Sequence, residues 1–227
     1  MTRKEYALIE AHMHALMQDS AHDKHHIYRV LYTALDIAAQ EEPVDYDVLI
    51  AACLLHDIGR TKQFADDTVC HAQAGGEMAL AFLRSIGWGE EKALHTGACV
   101  SSHRYRADNP PKSKEAKILF DADKLDACGA LGIARTLVYQ GQVSAPLYHA
   151  EQDGAPRTSG SIAQEWSFFQ EYNYKLKHIY AAFYTAHAKK IAAAREKTAT
   201  AYYDALYAEI TGNYQAGVRG LAGLLGE

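Results

Sequence analysis

A histidine and an aspartate stand side by side, His56-Asp57, at the end of the apolar run in "LLHDIGRTKQF". An ionised aspartate in apolar surroundings is costly unless it is paired with a cation or coordinates a metal. Adjacent side chains on a helix point about 100° apart, but both can turn into one cleft where the helix ends. Taken alone, such a pair is more often a hydrogen-bonded core histidine beside a surface aspartate.

Two further stretches of the sequence favour a metal site over that interpretation of the pair. The stretch "HDKHHIYRV" places His26 on a helix, and "DADKLDACGALGIAR" places Asp123 among small apolar residues, where a carboxylate needs a partner. Three helices would then deliver nitrogen and oxygen ligands, with His56 and Asp57 coming from the third. Imidazole and carboxylate ligands suit borderline divalent metals better than a thiolate-loving ion. We therefore predict a mixed metal site with open positions for water.

The elements that must position these residues are helical almost throughout the chain. Apolar residues recur at helical spacing, for example at Ile27, Val30 and Ala34, and no Asn-Gly or Asp-Gly turn separates two alternating runs. We predict helices over residues 3–18, 22–40, 45–56, 71–86, 90–103 and 114–140. The fold class that follows is all-α.

The helices are expected to form a single domain over residues 1–227, with the metal-site core in 22–135. Residues 141–160, "GQVSAPLYHAEQDGAPRTSG", break all periodicity, and irregular segments of that length are often functional. We predict that this segment is a lid or a substrate-specificity element outside the core. Two C-terminal helices are expected within residues 161–211.

The composition limits the class of partner. With 48% hydrophobic and 22% charged residues, the chain is that of an ordinary globular protein. Its net charge of −5 argues against nucleic acid, whose binders usually carry a basic patch. The chain has no signal-peptide core and no run near the roughly 20 apolar residues of a membrane helix. We predict a cytoplasmic protein with reduced cysteines, no membrane partner and a small-molecule ligand; a homodimer is left open.

Five motifs, in order, resemble the HD-domain metal-dependent phosphohydrolases, and more narrowly the small bacterial HD phosphohydrolases. They are "HDKHHIYRV", "AACLLHDIGR", "HAQAGGEMALAFL", "SSHRYR" and "DADKLDACGALGIAR". The later stretch "AKKIAAAREKTATAYYDALYAEI" is similar to the closing helix of that subfamily. The resemblance implies a helical bundle of the HD type and a divalent metal (Mn, Ni, Fe, Co, Mg or Zn). The ligands it implies are His26, His56, Asp57 and Asp123.

Residues next to the ligands are candidates for catalysis and for binding phosphate. Asp57 or a neighbouring carboxylate that is not a ligand could take a proton from water, His103 could protonate the leaving oxygen, and Lys124 could stabilise developing charge. Each nearby cation is individually more often a solvated surface charge. The candidates for substrate binding are Arg60, Lys62, Arg104 and Arg106. Asp121 and Asp126 are expected to be capping or supporting acids.

The function predicted from these residues is hydrolysis of a small phosphorylated substrate, a nucleotide, with release of phosphate or pyrophosphate. With about one metal per chain, His71 and His103 bind substrate phosphate or face solvent. A di-iron oxygenase is the alternative enzyme, and it requires both of these histidines as ligands of a second metal. A nucleotide-binding module without turnover is the alternative outside enzymes, although every core ligand is present.

Overall fold

The computed structural model describes residues 1–17, 24–41, 43–104, 108–159 and 166–226. Within these ranges the chain is helical, with one isolated bridge between Ala150 and Pro156 and no strand, so the all-α fold class is confirmed. None of the helices in these ranges combines the length and the apolar character needed to cross a bilayer.

The helices follow one another in chain order. They are α1 (Arg3–Leu16), α2 (Lys24–Ala38), α3 (Tyr46–Leu55), α4 (Arg60–Ala65), α5 (His71–Ser85), α6 (Glu90–Ser101), α7 (Lys114–Leu125), α8 (Gly129–Gln142), α9 (Phe168–Tyr174) and α10 (Ala186–Leu225). A 3₁₀ helix covers Leu176–Ala181. The chain divides into two compact units, Met1–Asp126 with Phe183–Ala188, and Ala127–Ala182 with Lys189–Glu227. That these make a single domain stays a prediction.

Helix α3 is the centre of the first unit. Its sequence, "YDVLIAACLL", is apolar on every side, and residues from Val48 to Leu55 are buried almost without exception. A helix of that kind belongs in a core, and α3 contacts α1, α2, α6 and α7. Asp45 caps its first turn by accepting hydrogen bonds from the backbone N–H groups of Asp47 and Val48. The helix therefore delivers His56, the residue after its last turn, into a buried position.

Glycines allow close packing around the end of α3. A Cβ on Gly59 would lie 2.1 Å from the carbonyl oxygen of His71 and 2.5 Å from the backbone nitrogen of Gly75. A Cβ on Gly76 in α5 would lie 2.6 Å from the carbonyl oxygen of Gly97 in α6. Since any larger residue would collide with backbone at these points, the glycines bring the start of α5 against the chain that follows α3.

The helix predicted over residues 114–140 is wrong, because the structure has two helices there, α7 and α8. The break follows Asp126, and Gly129 has a φ of 67°, in the left-handed region that interrupts a helix. A Cβ on Gly132 would lie 2.1 Å from the carbonyl oxygen of Ala127, so the new helix folds back closely on the turn. The short helix α4 was not predicted.

The second unit has its own hydrophobic cluster. Its buried members are Ile133, Phe168, Phe169, Tyr172, Leu176 and Ala199. Tyr148 of the segment 141–160 packs against this cluster, with its ring 6.5 Å from that of Phe169. Tyr148 is thus half-buried against the cluster of the second unit; that the segment is a lid or a specificity element outside the core stays a prediction. Position 160 lies outside the described residues.

The C-terminal helices differ from the prediction in extent. Residues 160–165 lie outside the described part of the chain, and the structure has α9, the 3₁₀ helix and the long α10 after them. Helix α10 continues to Leu225, past the predicted end at residue 211. Glycines at positions such as 212 and 217 have low helix propensity, which is why the sequence alone ends the helix early.

Candidate metal centre

Six side chains of the first unit converge where several helices begin or end. His26 lies in the first turn of α2, His56 and Asp57 directly follow α3, and Asp123 lies in the last turn of α7. His71 opens α5, and His103 follows α6. Five of the six are buried and Asp123 is half-buried. They form two groups, and within each group the potential ligand atoms lie within 4.8 Å of one another. The first group is His26, His56 and Asp123, and the second is Asp57, His71 and His103.

Backbone carbonyl groups orient two of the imidazole rings. The Nδ1 of His56 donates to the carbonyl oxygen of Cys53 at 2.8 Å, and the Nδ1 of His103 donates to that of Val100 at 2.7 Å. Because a carbonyl oxygen only accepts, the ring proton is fixed on Nδ1. The Nε2 atoms of both rings are thereby left as ligand atoms that face the centre.

Side chains orient the other two rings. The Nδ1 of His26 donates to Oδ2 of Asp126 at 2.7 Å, and the Nδ1 of His71 donates to Oε1 of Gln63 at 2.8 Å. Asp126 in turn accepts a hydrogen bond from Nε of Arg29 at 2.7 Å. Metal-binding histidines typically donate their second ring N–H to such a partner, which fixes the ring orientation and raises its basicity.

The first group brings nitrogen and oxygen atoms close enough to share one cation. The Nε2 of His26 lies 3.2 Å from the Nε2 of His56 and 3.3 Å from Oδ1 of Asp123. The Oδ2 of Asp57 lies 3.7 Å from both Nε2 atoms. The centre favours positive charge. Either a proton on His26 or a metal ion between these atoms would supply it.

The second group uses the other oxygen of the same carboxylate. The Oδ1 of Asp57 lies 3.8 Å from the Nε2 of His71 and 3.7 Å from the Nε2 of His103. These distances exceed those of hydrogen bonds, and the Oδ1 atom is buried without a hydrogen-bond partner among the described residues. Such an atom is costly in a protein interior. A cation coordinated by Asp57, His71 and His103 would satisfy it, so the donor set fits a metal.

The charges of the centre shift its pKa values in opposite directions. Burial lowers the pKa of His56 to about 4. Burial also opposes the charge on His26, but its hydrogen bonds to Asp123 and Asp126 outweigh burial and raise its pKa to about 9. Burial would raise the pKa of Asp57. The surrounding polar groups, of which His56 has the largest effect, nevertheless hold that pKa well below its usual range. Asp57 is therefore ionised and His56 neutral at neutral pH.

In the metal-stripped protein, we expect the free energy of unfolding to be greatest near pH 6.5, the ordinary pKa of histidine. Burial lowers the pKa of His56 to about 4 and that of His71 to about 3, so the unfolded chain binds these protons first and stability falls as the pH drops below about 6.5. The pKa of His26, about 9, adds stability below about 6.5 that is lost as the pH rises through 9. Urea unfolding across this range checks the prediction, and a steady rise in stability towards alkaline pH would contradict it.

Two of the cations predicted to bind substrate phosphate or to assist catalysis are held by the ligand carboxylates. The Nε of Arg60 lies 2.7 Å from Oδ2 of Asp57, and the Nζ of Lys124 lies 2.7 Å from Oδ2 of Asp123. Lys124 also lies over the ring of Phe120, 5.2 Å from its centroid. Both cations are thus at the centre, where a bound phosphate could share them.

The remaining predicted cations differ in position. Arg104 directly follows His103 and is half-buried, and its charge helps to lower the pKa of His71. Lys62 is exposed on α4, and within the described residues its side chain has no hydrogen bond or ion pair with either group. Arg106 lies outside the described residues. The structure therefore brings Arg104 to the centre and not Lys62.

The acids beside the ligands have distinct positions. Asp126 supports His26, as a supporting acid should. Asp121 is fully buried and accepts hydrogen bonds from the backbone N–H groups of Tyr184 and Thr185, at 2.9 and 2.7 Å, so it anchors the chain before α10. Gln63 is a site residue that the sequence did not reveal. Nothing in the pattern pointed to it, since its helix was itself missed.

Comparison with known proteins points to one family. The model of the HD domain family matches residues 24–128. YpgQ of Bacillus subtilis (strain 168) is 35% identical over 139 residues, which are 60% of this chain and 65% of YpgQ. The crystal structure of YpgQ in complex with ADP has a TM-score of 0.70 at 26% identity, over 92% of this chain and 96% of that chain. A predicted HD superfamily hydrolase from an uncultured Thermotogales bacterium has a TM-score of 0.60 at 28% identity, over 91% and 92%.

Proposed function

Through residues 24–128 this chain belongs to the HD domain family and has the fold of the HD-superfamily hydrolases, and on that premise we propose that it is a metal-dependent phosphohydrolase. Its substrate is a small phosphorylated molecule, a nucleotide. The observation that carries the proposal is the orientation of four imidazole rings, whose Nδ1 protons all go to outer acceptors. Their Nε2 atoms meet two carboxylates at one centre.

The residues that would hold the metal are His26, His56, Asp57 and Asp123. A divalent cation bound there would lower the pKa of a coordinated water and polarise a phosphoryl oxygen. Asp57 is ionised and has a buried oxygen without a hydrogen-bond partner among the described residues, so it can accept a hydrogen bond from an attacking water and orient it.

With one metal bound, at His26, His56, Asp57 and Asp123, His103 is placed to donate a proton to the leaving oxygen. Its Nδ1 donates to the carbonyl oxygen of Val100, so an added proton resides on Nε2, the atom that faces the centre. The carboxylate of Asp57 lies 3.7 Å from that atom. Arg60, Arg104 and Lys124 offset the negative charge that develops on the phosphoryl oxygens.

A nucleotide is the substrate class with the most support. YpgQ, a relative over most of the fold, has been crystallised with ADP. A nucleoside phosphate also matches a centre that combines a metal site with several cations, since both bind phosphate oxygens.

A di-iron oxygenase is the second candidate, and the group of Asp57, His71 and His103 favours it. A second metal position next to the first is what such chemistry requires, and one carboxylate faces both groups. Hydrolysis needs no change of oxidation state, whereas oxygenation needs iron and molecular oxygen. The two candidates therefore differ in their need for oxygen.

We expect metal-stripped protein to hydrolyse a nucleotide when Mn, Mg, Ni, Co or Fe is added back, with phosphate or pyrophosphate as product. The same rate is expected with oxygen excluded, because the reaction transfers no electrons. A screen of nucleotides with phosphate and pyrophosphate detection, run aerobically and anaerobically, checks this. Turnover that stops without oxygen, with two irons per chain, would favour the oxygenase.

Within that screen, His103→Ala tests the proposed acid. Losing a general acid typically costs about 10²- to 10⁴-fold in rate, and we expect kcat to fall accordingly while the metal held by His26, His56 and Asp123 remains bound. Asp67→Ala is the matched control, because Asp67 is exposed and no role in binding or catalysis is predicted for it. A variant at His103 with unchanged kcat would remove its proposed role.

A further inference from the structure

We infer that Gln63 is a positioning residue: it orients His71 and so sets the affinity of a second, weaker cation position formed by Asp57, His71 and His103. By the same inference, the first group, formed by His26, His56 and Asp123, binds its cation more tightly. The inference rests on the proposed function only in requiring a metal centre, and the identity of the substrate does not enter it.

The contact between Gln63 and His71 fixes which ring nitrogen can bind a cation. The Oε1 of Gln63 accepts a hydrogen bond from the Nδ1 of His71 at 2.8 Å. This leaves Nε2 as the free ligand atom, and it is Nε2 that faces Oδ1 of Asp57. Without this acceptor, the ring proton could move to Nε2 and block coordination, or the ring could turn away from the centre.

The corresponding partner in the first group is of a different chemical kind. His26 donates its Nδ1 proton to the carboxylate of Asp126, which is buried and is itself held by Arg29. A carboxylate pushes more electron density into the ring than a neutral amide does, which makes Nε2 of His26 the stronger donor. The neutral amide of Gln63 gives His71 the orientation without that gain in basicity.

The two partners also differ in how firmly they are held. Asp126 directly follows α7 in the core of the first unit, whereas Gln63 lies on α4, a helix of 6 residues none of which is buried. The same helix carries Arg60, but Arg60 pairs with Oδ2 of Asp57, the oxygen that faces the first group. The second cation position therefore depends on a short surface helix through Gln63. The partner that orients His26 in the first group is instead buried.

Titration of metal-stripped protein with Mn²⁺ tests the inference without any substrate. For the wild type, isothermal calorimetry and electron paramagnetic resonance should show two binding events of unequal affinity. In Gln63→Leu, we expect the weaker event to lose about 10- to 100-fold in affinity, the usual cost of removing an outer partner of a histidine ligand, and the tighter event to stay unchanged. In Gln63→Glu, a carboxylate replaces the amide, and the weaker event should become tighter.

Two further variants make the experiment specific. Lys62→Ala lies one residue away on α4 and is exposed, so it should change neither event. Asp126→Asn should weaken the tighter event and leave the weaker one in place. The nuclear magnetic resonance signals of the His71 ring nitrogens should show Nδ1 protonated in the wild type, a readout that loss of packing alone would not move.

Several results would overturn the inference. They are a wild type that binds a single Mn²⁺, a Gln63→Leu variant that alters both events equally or neither, and a Gln63→Glu variant whose weaker event is not tightened. The Glu variant keeps the side-chain length, so it tests the role of Gln63 in the weaker binding event even where the Leu variant fails to fold. Because metal binding and hydrolysis are measured separately, failure of the nucleotide screen and failure of this inference are distinguishable.

Discussion

Asp57→Ala is expected to remove the bound metal and to lower phosphohydrolase activity by about 10³-fold, the upper end of the range for loss of one group that stabilises charge in a reaction. The size of the effect follows from the position of its carboxylate, since Oδ2 faces the first group and Oδ1 faces the second. No other described carboxylate faces both groups. The fold should survive, because the apolar faces of α3 and its neighbours hold the helices together without the ion.

Three measurements check this expectation on the same sample. Metal content is measured by mass spectrometry, activity by phosphate release, and helical content by circular dichroism. Asp67→Ala is the control, because Asp67 is exposed on the same stretch of chain. Metal content equal to that of the wild type would show that the ligand assignment is wrong.

Gly59→Ala is expected to destabilise the protein by about 1–3 kcal/mol, the usual cost of forcing an added methyl group into a packed interior. The added Cβ would lie 2.1 Å from the carbonyl oxygen of His71 and 2.5 Å from the backbone nitrogen of Gly75, and backbone cannot rotate away as a side chain can. The start of α5 would have to move, and His71 with it. We therefore also expect weaker binding of metal at the position that His71 serves.

Urea unfolding of the metal-stripped variant measures the first effect, with Gly141→Ala as its control. Gly141 lies in α8, and a Cβ there would have no heavy atom within 4 Å. Alanine in a helix is favoured over glycine by roughly 0.5–1 kcal/mol, so the control should be unchanged or slightly more stable. Equal stabilities for Gly59→Ala and the wild type would contradict the close packing described here.

The family resemblance inferred from the motifs is confirmed, and the structure brings the predicted ligands together. Sequence was sufficient there because His26, His56 and Asp123 each stand out by type against a helical apolar pattern. The same pattern could not reveal Gln63, because α4 has no buried face and thus no periodicity to detect. The sequence left a second metal at His71 and His103 as an alternative, since that arrangement depends on which way each oxygen of Asp57 points.

The break between α7 and α8 has a different cause. Residues around Leu125 and Gly129 keep helical periodicity on both sides of the turn, so the apolar spacing predicts one continuous helix there. What separates the two helices is the extended backbone at Cys128 followed by the left-handed Gly129, conformations that periodicity does not encode. The prediction that the chain is one domain, and that the segment 141–160 covers the centre, stay predictions for the same reason, because they depend on packing between distant parts of the chain.

The ligands of the first group are separated by long stretches of sequence, from His26 in α2 to Asp123 in α7. A metal that binds only the folded chain acts as a cross-link between those helices, adding about 2.7 kcal/mol of stability when its free concentration is 100 times its dissociation constant. Opening any one of the helices would have to break the cross-link, so their amide hydrogens should exchange as one cooperative unit. The supply of metal would then govern how long the chain survives in the presence of a protease, in addition to how fast it turns over substrate.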